Sequence, residues 1–461
     1  MTIIDGLILF FSIIISYSII VYILHKKGIL KKYNISFYGP GLLLRSSKGV
    51  NFLKRIANKK RFWKAFGSSG IVVCFIFMIL LTIVLIFQSF LLFEFTSEQK
   101  ELIPGPEAVL PFPGLNPILP FEYVFYIILA LVIAIVVHEF SHGILSIVGK
   151  IKVKSLGMVL MIIPLGAFTE PDEEELKNTE IPKRMRVYAA GPLSNFLVAF
   201  ICILLFSFVF MSAVQPIEGV DIFYVLEGTP AESIGLSKGS VITSINDSEI
   251  KSYKDFSSTM ANISTNQTVN ITYMVQKEII TTQVQLMNEY EYYERNNYTN
   301  INESLRNESF LGIGINPYNK TYLLSSLKDP FFHEFPNGLL NLYALPFFGY
   351  IAYYNPIADP FTNSYIITGP LSFLPPAVFW GIVNALYWIF WISIALGIFN
   401  VLPMIPLDGG FLFNDAIKVL VKKIKKDLPD EKKDKIAKKV ATFSSLVILI
   451  MIILPFLIKY I

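Results

Sequence analysis

Two histidines and one glutamate form the part of this sequence best suited to metal chemistry. Residues 138–142 read His-Glu-Phe-Ser-His, and the chain has four histidines in all. Because residues i and i+4 share one face of a helix, His138 and His142 can bind one metal ion with Glu139 beside them. The alternative is that both histidines are buried polar residues that bond neighbouring helices. Two histidines alone make an incomplete site, since catalytic zinc has three protein ligands and an open position.

The pentapeptide ends an apolar run that is long enough to cross a bilayer. Residues 126–137 contain only apolar and aromatic side chains. Ionisable side chains are unfavourable in hydrocarbon and usually have a function where they occur there. The position of the motif therefore favours a functional site over a packing role.

The composition is that of a polytopic membrane protein. The 461 residues are 53% hydrophobic and only 16% charged, whereas soluble domains have about a quarter charged residues. Cys74 and Cys202 lie in apolar runs, which favours packing over a disulfide or a metal pair. The length that a bilayer demands predicts six spans. Their predicted ranges are 3–24, 70–94, 121–148, 187–213, 376–399 and 441–459.

The distribution of positive charge predicts the orientation of these spans. Residues 26–64 contain twelve Lys and Arg, residues 149–186 seven and residues 411–440 ten, whereas residues 95–120 contain one. Basic segments face the cytoplasm by the positive-inside rule. Both chain ends and residues 214–375 are therefore expected outside the cell membrane. The same topology puts His138 nearer the cytoplasmic side.

A second polar segment within apolar surroundings supplies a candidate third ligand. Residues 400–410 read Asn-Val-Leu-Pro-Met-Ile-Pro-Leu-Asp-Gly-Gly. The prolines stop a regular helix, and Gly409-Gly410 allow a sharp turn. Irregular backbone at membrane depth must be covered by protein or by a watery cavity. Asp408 either completes a His, His, Asp zinc site or caps a following helix over residues 411–421.

Three segments together resemble the site-2 proteases, which are the intramembrane zinc metalloproteases of peptidase family M50. The first is His-Glu-Phe-Ser-His-Gly at 138–143, which is similar to the HExxH helix of that family. The second is 400–409, which is similar to its Asn-x-x-Pro…Leu-Asp-Gly segment. The third is Ala-Gly-Pro-Leu-Ser-Asn-Phe at 190–196, which is similar to its Gly-Pro-x-x-Asn segment.

The resemblance implies a role for each of four residues. His138, His142 and Asp408 are expected to be the zinc ligands, and Glu139 the general base. Zinc lowers the pKa of a bound water to about 7, and a neighbouring carboxylate can take up the proton and pass it to the leaving amine.

Two asparagines and one apolar segment are expected near this site. The amides of Asn195 and Asn400 are expected to bind the substrate backbone or the developing oxyanion. For Asn195 an alternative stays open, in which Gly191-Pro192 begin a helix and the amide bonds a neighbouring helix. The resemblance also implies membrane-embedded β structure over residues 157–169, where an edge strand could hold an unwound substrate.

The composition changes after residue 214 to a polar, Asn-rich and Thr-rich sequence with alternating apolar residues. This pattern predicts strands at 241–245, 269–274 and 279–286 and a helix at 252–261. Residues 228–246 resemble the core of a circularly permuted PDZ domain. Such a domain either binds a peptide by strand addition or acts as a steric filter. Residues 287–310 are expected to be a polar insertion with no core of its own.

The predicted fold class is a mainly α membrane protein: a polytopic bundle of about six transmembrane helices with a small α+β PDZ-like extracytoplasmic domain. The predicted domains follow in chain order. They are two N-terminal spans with a basic cytoplasmic loop (1–95), the first half of the protease core (121–213), the PDZ-like domain (214–330), an interfacial or gating segment (331–375), the second half of the core (376–421) and a C-terminal span (441–459).

The expected function is zinc-dependent hydrolysis of peptide bonds in transmembrane segments of other membrane proteins. The expected partners are those substrates, the lipid bilayer and a peptide ligand of the PDZ-like domain, and no nucleic acid. Two alternatives are a zinc transporter and a non-catalytic membrane-anchored PDZ binding protein. A transporter would need polar residues along its whole depth, whereas here they cluster at one level.

Overall fold

A computed structural model of the chain describes residues 3–32, 35–38, 41–46, 48–101, 103, 105–109, 113–160, 164–275, 278–333 and 335–458. Residues 161–163 of the expected strand region and residue 459 of the last predicted span lie outside these ranges. The chain forms two compact units. The first comprises residues 1–202 and 387–461, and the second comprises residues 203–386.

Helices account for most of the described chain. Those of the N-terminal half are α1 (Ile3–Lys26), α2 (Ile29–Lys32), α3 (Lys48–Ala57), α4 (Lys60–Leu91), α5 (Ser97–Glu101), α6 (Val124–Val148), α7 (Glu173–Asn178) and α8 (Ile181–Leu204). Those of the C-terminal half are α9 (Pro230–Ser233), α10 (Tyr253–Ala261), α11 (Glu289–Arg295), α12 (Lys320–Lys328), α13 (Asn337–Ala352), α14 (Pro376–Val401), α15 (Asp408–Ile424) and α16 (Asp430–Ile458).

Five helical segments within the described residues are long and apolar enough to cross a membrane. They are Lys60–Glu94, Phe121–Val148, Ile181–Ala213, Pro376–Val401 and Asp430–Ile458. The apolar stretch of α1, Ile14–Lys26, is shorter than these five segments. Several segments begin well before the predicted ranges, because backbone hydrogen bonding carries a helix past its apolar part into polar flanks.

The first unit contains an antiparallel four-stranded sheet. Its strands are β1 (Ile35–Tyr38), β2 (Gly41–Ser46), β3 (Val153–Leu160) and β4 (Pro164–Pro171), and they pair in that order. Leu156 on β3 lies opposite Thr169 on β4. Strand β4 packs against α6. β structure was expected over 157–169, and these two strands cover its described part.

Two buried clusters hold the helices of the first unit around α6 and α8. Leu53 on α3 packs with Leu145 on α6 and Val187 on α8. Cys74 on α4 packs with Phe196 on α8 and Leu412 on α15. Cys74 and Cys202 are both buried free thiols, as the apolar runs around them predicted. The helices that contain the three sequence motifs are therefore packed neighbours.

The second unit contains a sheet domain over residues 220–315. Its strands are β6 (Val220–Val225), β7 (Val241–Ile245), β8 (Ser248–Glu249), β9 (Thr268–Val275), β10 (Glu278–Gln285) and β13 (Ile313–Ile315). The sheet order is β10-β9-β7-β6-β13, and β8 pairs with β7. Ile222, Ile242 and Ile271 are completely buried in its core. The strands and the helix predicted from alternation are all present.

Four further strands complete the second unit. Strand β5 (Val214–Pro216) pairs with β14 (Tyr365–Ile367), and β11 (Met287–Asn288) pairs with β12 (Ser309–Phe310). Residues 287–310, predicted as a polar insertion, contain the pair β11–β12 and helix α11. The Tyr292 ring contacts the Phe310 ring at 5.4 Å, and such aromatic contacts are what a purely compositional argument overlooks.

Candidate metal centre

Helix α6 presents the two histidines of the pentapeptide on one face. His138 and His142 are one turn apart, and their Nε2 atoms lie 3.1 Å from each other. Both side chains are largely buried, with exposed fractions of 8% and 12%. The i and i+4 spacing produces this geometry, because a helix turns through about one full revolution in four residues.

Asp408 comes to the same point from a distant part of the chain. Its Oδ2 atom lies 3.1 Å from His138 Nε2 and 3.1 Å from His142 Nε2. The alternative that Asp408 caps the following helix is wrong, because α15 begins at Asp408 itself and Leu407 is the N-cap residue without a side-chain cap bond. The carboxylate is therefore free to face the histidines across the bundle.

The three facing atoms form a triangle with sides of 3.1 Å. Zinc binds nitrogen and oxygen donors at about 2.0–2.1 Å in tetrahedral geometry, which separates neighbouring donors by about 3.3 Å. The observed triangle is close to that size, so a point about 2.0 Å from all three atoms exists. Two imidazoles and one carboxylate are a donor set that suits zinc. The residues present therefore fit this metal.

Hydrogen bonds on the far side of each ring set the histidine tautomers. His142 Nδ1 lies 2.7 Å from the Val187 carbonyl oxygen on α8, so Nδ1 donates there and the lone pair of Nε2 points inwards. His138 Nδ1 lies 3.1 Å from the amide of Asn195, which is also on α8. A metal on Nε2 of His138 requires Nδ1 to carry the proton.

That requirement determines how the Asn195 amide is oriented when a metal is bound. As placed, Nδ2 faces the ring and Oδ1 is buried without a hydrogen-bond partner. Amide nitrogen and oxygen are assigned from the hydrogen-bond network. Rotating the amide by half a turn puts Oδ1 where it accepts from His138 Nδ1. Asn195 is 0% exposed, so it is placed to orient His138.

We expect the Asn195→Leu variant to bind zinc roughly 10- to 100-fold more weakly than the natural protein, because the buried Nδ1–H of His138 loses its acceptor. The Asn195→Asp variant keeps an acceptor oxygen and is expected to retain affinity. Competition with a chromophoric chelator measures both. Asn400→Leu is the matched control and should leave zinc affinity unchanged. Equal affinity in the Leu and Asp variants of Asn195 would contradict this role.

Glu139 is held by the edge of the four-stranded sheet. Its Oε2 accepts a hydrogen bond from the Thr169 backbone N–H at 2.8 Å. The Thr169 hydroxyl donates to the Glu139 carbonyl oxygen at 2.6 Å. These two bonds join β4 to the helix turn that bears the histidines, and one of them orients the carboxylate through Oε2.

The broken segment before Asp408 is supported from α16. Ser444 Oγ donates to the Pro403 carbonyl at 3.1 Å, and the Ile405 N–H donates to Ser445 Oγ at 2.9 Å. These bonds satisfy backbone groups that a regular helix would satisfy internally. Irregular backbone in apolar surroundings is thereby kept in one conformation.

The prediction that Gly409 and Gly410 make a sharp turn is wrong. Both glycines lie inside α15, and neither has a positive φ. A Cβ on Gly409 would lie 2.3 Å from the Val401 carbonyl, and a Cβ on Gly410 would lie 2.5 Å from the Ile405 nitrogen. The glycines are needed because two backbone segments approach each other closely here.

The alternative for Asn195 is half right. Gly191 and Pro192 lie in the interior of α8 and do not begin a helix, but the Asn195 amide does contact a neighbouring helix, at His138 on α6. A Cβ on Gly191 would lie 2.4 Å from His142 Nε2 and 2.5 Å from His138 Nε2. The backbone at Gly191 therefore forms one wall of the candidate metal centre. Asn400 is placed differently, since its Nδ2 donates at 3.0 Å to the Leu396 carbonyl of its own helix.

A buried ion pair connects the α8 and α15 helices. Arg184 Nε and Nη2 each donate at 2.6 Å to an oxygen of Asp415. Arg184 Nη1 also donates to the Lys177 carbonyl at 2.7 Å. Asp415 follows Asp408 by seven residues, which is two helical turns, so both carboxylates lie on the same side of α15. The pair therefore fixes the rotation of the helix that presents Asp408.

The roles of several residues at this site could not be predicted from the sequence. Thr169 and Val187 act at the site through backbone groups, which any residue type would supply, so no sequence signal marks them. Arg184 and Asp415 are ordinary charged residues until the fold pairs them. Gly191 belongs to the segment that resembles the Gly-Pro-x-x-Asn motif, but the sequence does not show that its backbone lies against the two histidines.

Comparisons with known proteins identify the family of this chain. The sequence profile of peptidase family M50 matches residues 126–449. An uncharacterized protein of Methanocaldococcus jannaschii is 27% identical over 87% of this chain and 85% of its own length. The zinc metalloprotease RasP of Shouchella clausii is 30% identical over 52% of each chain.

Solved structures match a part of the chain, and one of them is a single domain. It is the PDZ domain of an SdrC-like protein from Listeria monocytogenes, with 21% identity, a TM-score of 0.18, and coverage of 22% of this chain and 90% of that one. The family profile covers the pentapeptide, the Gly-Pro segment of α8 and Asp408, and therefore includes every residue of the candidate centre. This chain belongs to peptidase family M50.

Proposed function

We propose that this protein is an intramembrane zinc endopeptidase that hydrolyses peptide bonds within transmembrane segments of other membrane proteins. The observation that carries the proposal is the meeting of His138, His142 and Asp408 within 3.1 Å, brought together from two apolar helical regions. Membership of a peptidase family and the zinc metalloprotease named among the relatives support it.

His138, His142 and Asp408 would hold the zinc ion. When bound, zinc would polarise the scissile carbonyl and lower the pKa of water to about 7. Glu139 is proposed as the general base, which would receive the proton of that water on Oε1 and return it to the leaving amine. The bond from the Thr169 N–H to Oε2 supports this role, since it orients the carboxylate throughout.

Strand β4 is proposed as the guide for the substrate. A transmembrane helix hides its peptide bonds in internal hydrogen bonds, so it must unwind before it can be cut. An unwound segment would lie along the edge of β4 as an added strand. The contact between Thr169 on this strand and Glu139 supports the guide, because it brings the strand edge beside the proposed base.

The proposed topology follows the positive charges. Residues 26–64, 149–186 and 411–440 would face the cytoplasm, and the sheet domain would lie outside the cell membrane. α1 would serve as a sixth span beside the five apolar segments. The metal centre would then lie within the membrane, nearer its cytoplasmic side. Labelling of single cysteines introduced at Ser257 and at Lys426 from either side of sealed cells tests this orientation.

We expect the Glu139→Gln variant to lose cleavage by roughly 10²- to 10⁴-fold, because the proposed base is removed while all three ligands stay. The assay is cleavage by purified protein of a transmembrane peptide with helix-destabilising residues near its centre. Zinc content, measured by atomic absorption, should be unchanged. Chelation should abolish cleavage by the natural protein, and added zinc should restore it.

Glu180→Gln is the matched control for this variant. Glu180 is an exposed residue in a surface pair with Lys183, so its neutralisation should leave cleavage intact. Undiminished turnover by Glu139→Gln would exclude Glu139 as the base. Full activity after exhaustive chelation would exclude the zinc mechanism altogether.

A further inference from the structure

The sheet domain has a groove of about 500 Å³ between α10 and β13. Phe256 and Met260 of α10 form one wall, and residues 309–313 together with Ile315 form the other. Ser309 Oγ donates to the Met260 carbonyl at 2.9 Å, which holds the two walls together at one end. Pockets that bind ligands in proteins usually enclose about 300–1,000 Å³, so the groove is large enough for several side chains.

The strand that lines the groove has a free hydrogen-bonding edge. Within the described residues, β13 ends the sheet order and pairs only with β6. The Leu226 N–H donates to the Gly312 carbonyl, and Ile313 lies opposite Val225. That pattern makes Ile313 and Val225 a non-hydrogen-bonded pair, so the N–H and C=O of Ile313 point away from β6. A polypeptide in the groove could bond to them as an added strand.

The charge in this groove has a single sign. Glu289 and Glu308 both line it, and no lysine or arginine does so among the residues that the structure describes. The β11–β12 pairing brings these two residues together, with the Glu289 N–H 3.4 Å from the Glu308 carbonyl. Burial raises the pKa of Glu289, the charge of Glu308 raises it further, and a hydrogen bond with the Tyr293 side chain lowers it. Two carboxylates therefore line the groove together, and among the described residues no lysine or arginine lines it to offset their negative charge.

The basic residue closest in sequence to Glu308 is Arg306, and it already has other partners. Arg306 forms an ion pair with Glu303, and its guanidinium lies 3.7 Å from the centre of the Tyr290 ring. Its positive charge therefore interacts with residues of the insertion 287–310. A ligand with a positive charge would supply what the groove lacks, since opposite charges attract strongly where water is partly excluded.

We propose that this groove binds an extended internal segment of another polypeptide, with a lysine or arginine side chain placed against Glu289 and Glu308. The segment would add to the Ile313 edge, and alternate side chains would enter the apolar space beside Phe256 and Met260. A free terminal carboxylate would add a third negative charge to the pair already there, which disfavours a chain end as ligand.

Binding to full-length protein in detergent tests the proposal by fluorescence anisotropy. The probe is a short labelled Thr/Val peptide with a central lysine, blocked at both ends. We expect it to bind roughly fivefold to tenfold more tightly than the same peptide with a central glutamine. A central glutamate, or a free terminal carboxylate, should weaken binding further. Tightest binding by the peptide with a free carboxylate would overturn the proposal.

Variants of the groove distinguish recognition of the lysine charge from nonspecific peptide binding. Glu289→Gln and Glu308→Gln should each reduce the preference for lysine and leave the affinity for the glutamine peptide unchanged. Glu278→Gln, an exposed change on β10, is the matched control and should keep the full preference. Lysine preference that survives both groove variants would refute the charge assignment.

A steric variant tests the location independently. Ser257 is an exposed residue of α10 that lines the groove, so Ser257→Trp should fill it without disturbing the core. All peptides should lose binding while the circular dichroism spectrum stays unchanged. Undiminished binding by this variant, or no binding of any peptide to the natural protein, would overturn the proposal. None of these outcomes depends on peptidase activity, so the proposed function is tested separately.

Discussion

The Gly191→Ala variant is expected to be purified without bound zinc and without peptidase activity. The added methyl carbon would lie 2.4 Å from His142 Nε2 and 2.5 Å from His138 Nε2. Carbon and nitrogen atoms in van der Waals contact lie about 3.5 Å apart or more. The methyl group would therefore occupy the space beside the ligand atoms that the metal needs.

The histidine rings cannot easily move aside to make room. His142 is anchored by the Val187 carbonyl, and His138 is anchored by Asn195. Shifting either ring breaks a buried hydrogen bond, which costs about 1–3 kcal/mol. Either the rings shift or α8 moves away from them, and both responses change the positions of the ligand atoms, so a single methyl group is expected to have a large effect on zinc binding.

Zinc content by atomic absorption and the midpoint of thermal unfolding, both on purified protein, check this expectation. Gly349→Ala is the matched control, since Gly349 is also helical and a Cβ there meets no atom within 4 Å. It should keep its full zinc content. A Gly191→Ala protein that binds stoichiometric zinc would show that the centre lies elsewhere or that α8 moves freely.

The second large effect is expected on stability, at the buried pair of Arg184 and Asp415. Their exposed fractions are 8% and 2%, and both hydrogen bonds between them are 2.6 Å long. Removing one partner of such a pair leaves a buried charge without compensation, which costs about 3–5 kcal/mol. Arg184→Met and Asp415→Leu should each lower the unfolding midpoint and the zinc occupancy, because Asp408 lies on the same face of α15.

Replacing both partners together should recover most of the loss. Buried ion pairs exchanged for apolar residues of similar size are often neutral or stabilising. The Arg184→Met, Asp415→Leu double variant is therefore expected to unfold at a higher temperature than either single variant. Thermal unfolding of all three proteins in one detergent forms a double-mutant cycle that measures the coupling.

Lys183→Met is the matched control for this cycle. Lys183 neighbours Arg184 on α8 but forms an exposed pair with Glu180. Exposed pairs contribute about 0–1 kcal/mol, so this variant should unfold near the natural midpoint. Additive losses in the double variant would show that Arg184 and Asp415 do not stabilise the protein as a pair.

Local patterns predicted much of this fold. Long apolar runs indicated the spanning helices, because a bilayer sets a minimum apolar length. Alternating residues indicated the strands of the sheet domain, since successive side chains of a strand point to opposite faces. The limits of these elements were less well predicted. Helices α4 and α16 begin about ten residues before the apolar windows, at Lys60 and Asp430, because helical hydrogen bonding continues into polar sequence.

The sequence by itself indicated the three facing side chains, since the spacing of His138 and His142 places both rings on one helix face and the resemblance to the site-2 proteases implies Asp408 as the third ligand. Only the tertiary structure decided what holds them. The Val187 carbonyl, the Thr169 N–H and the space beside Gly191 are backbone features, and backbone groups are common to all residue types. The pairing of Arg184 with Asp415 joins positions that are 231 residues apart, and only packing of the helices brings such positions together.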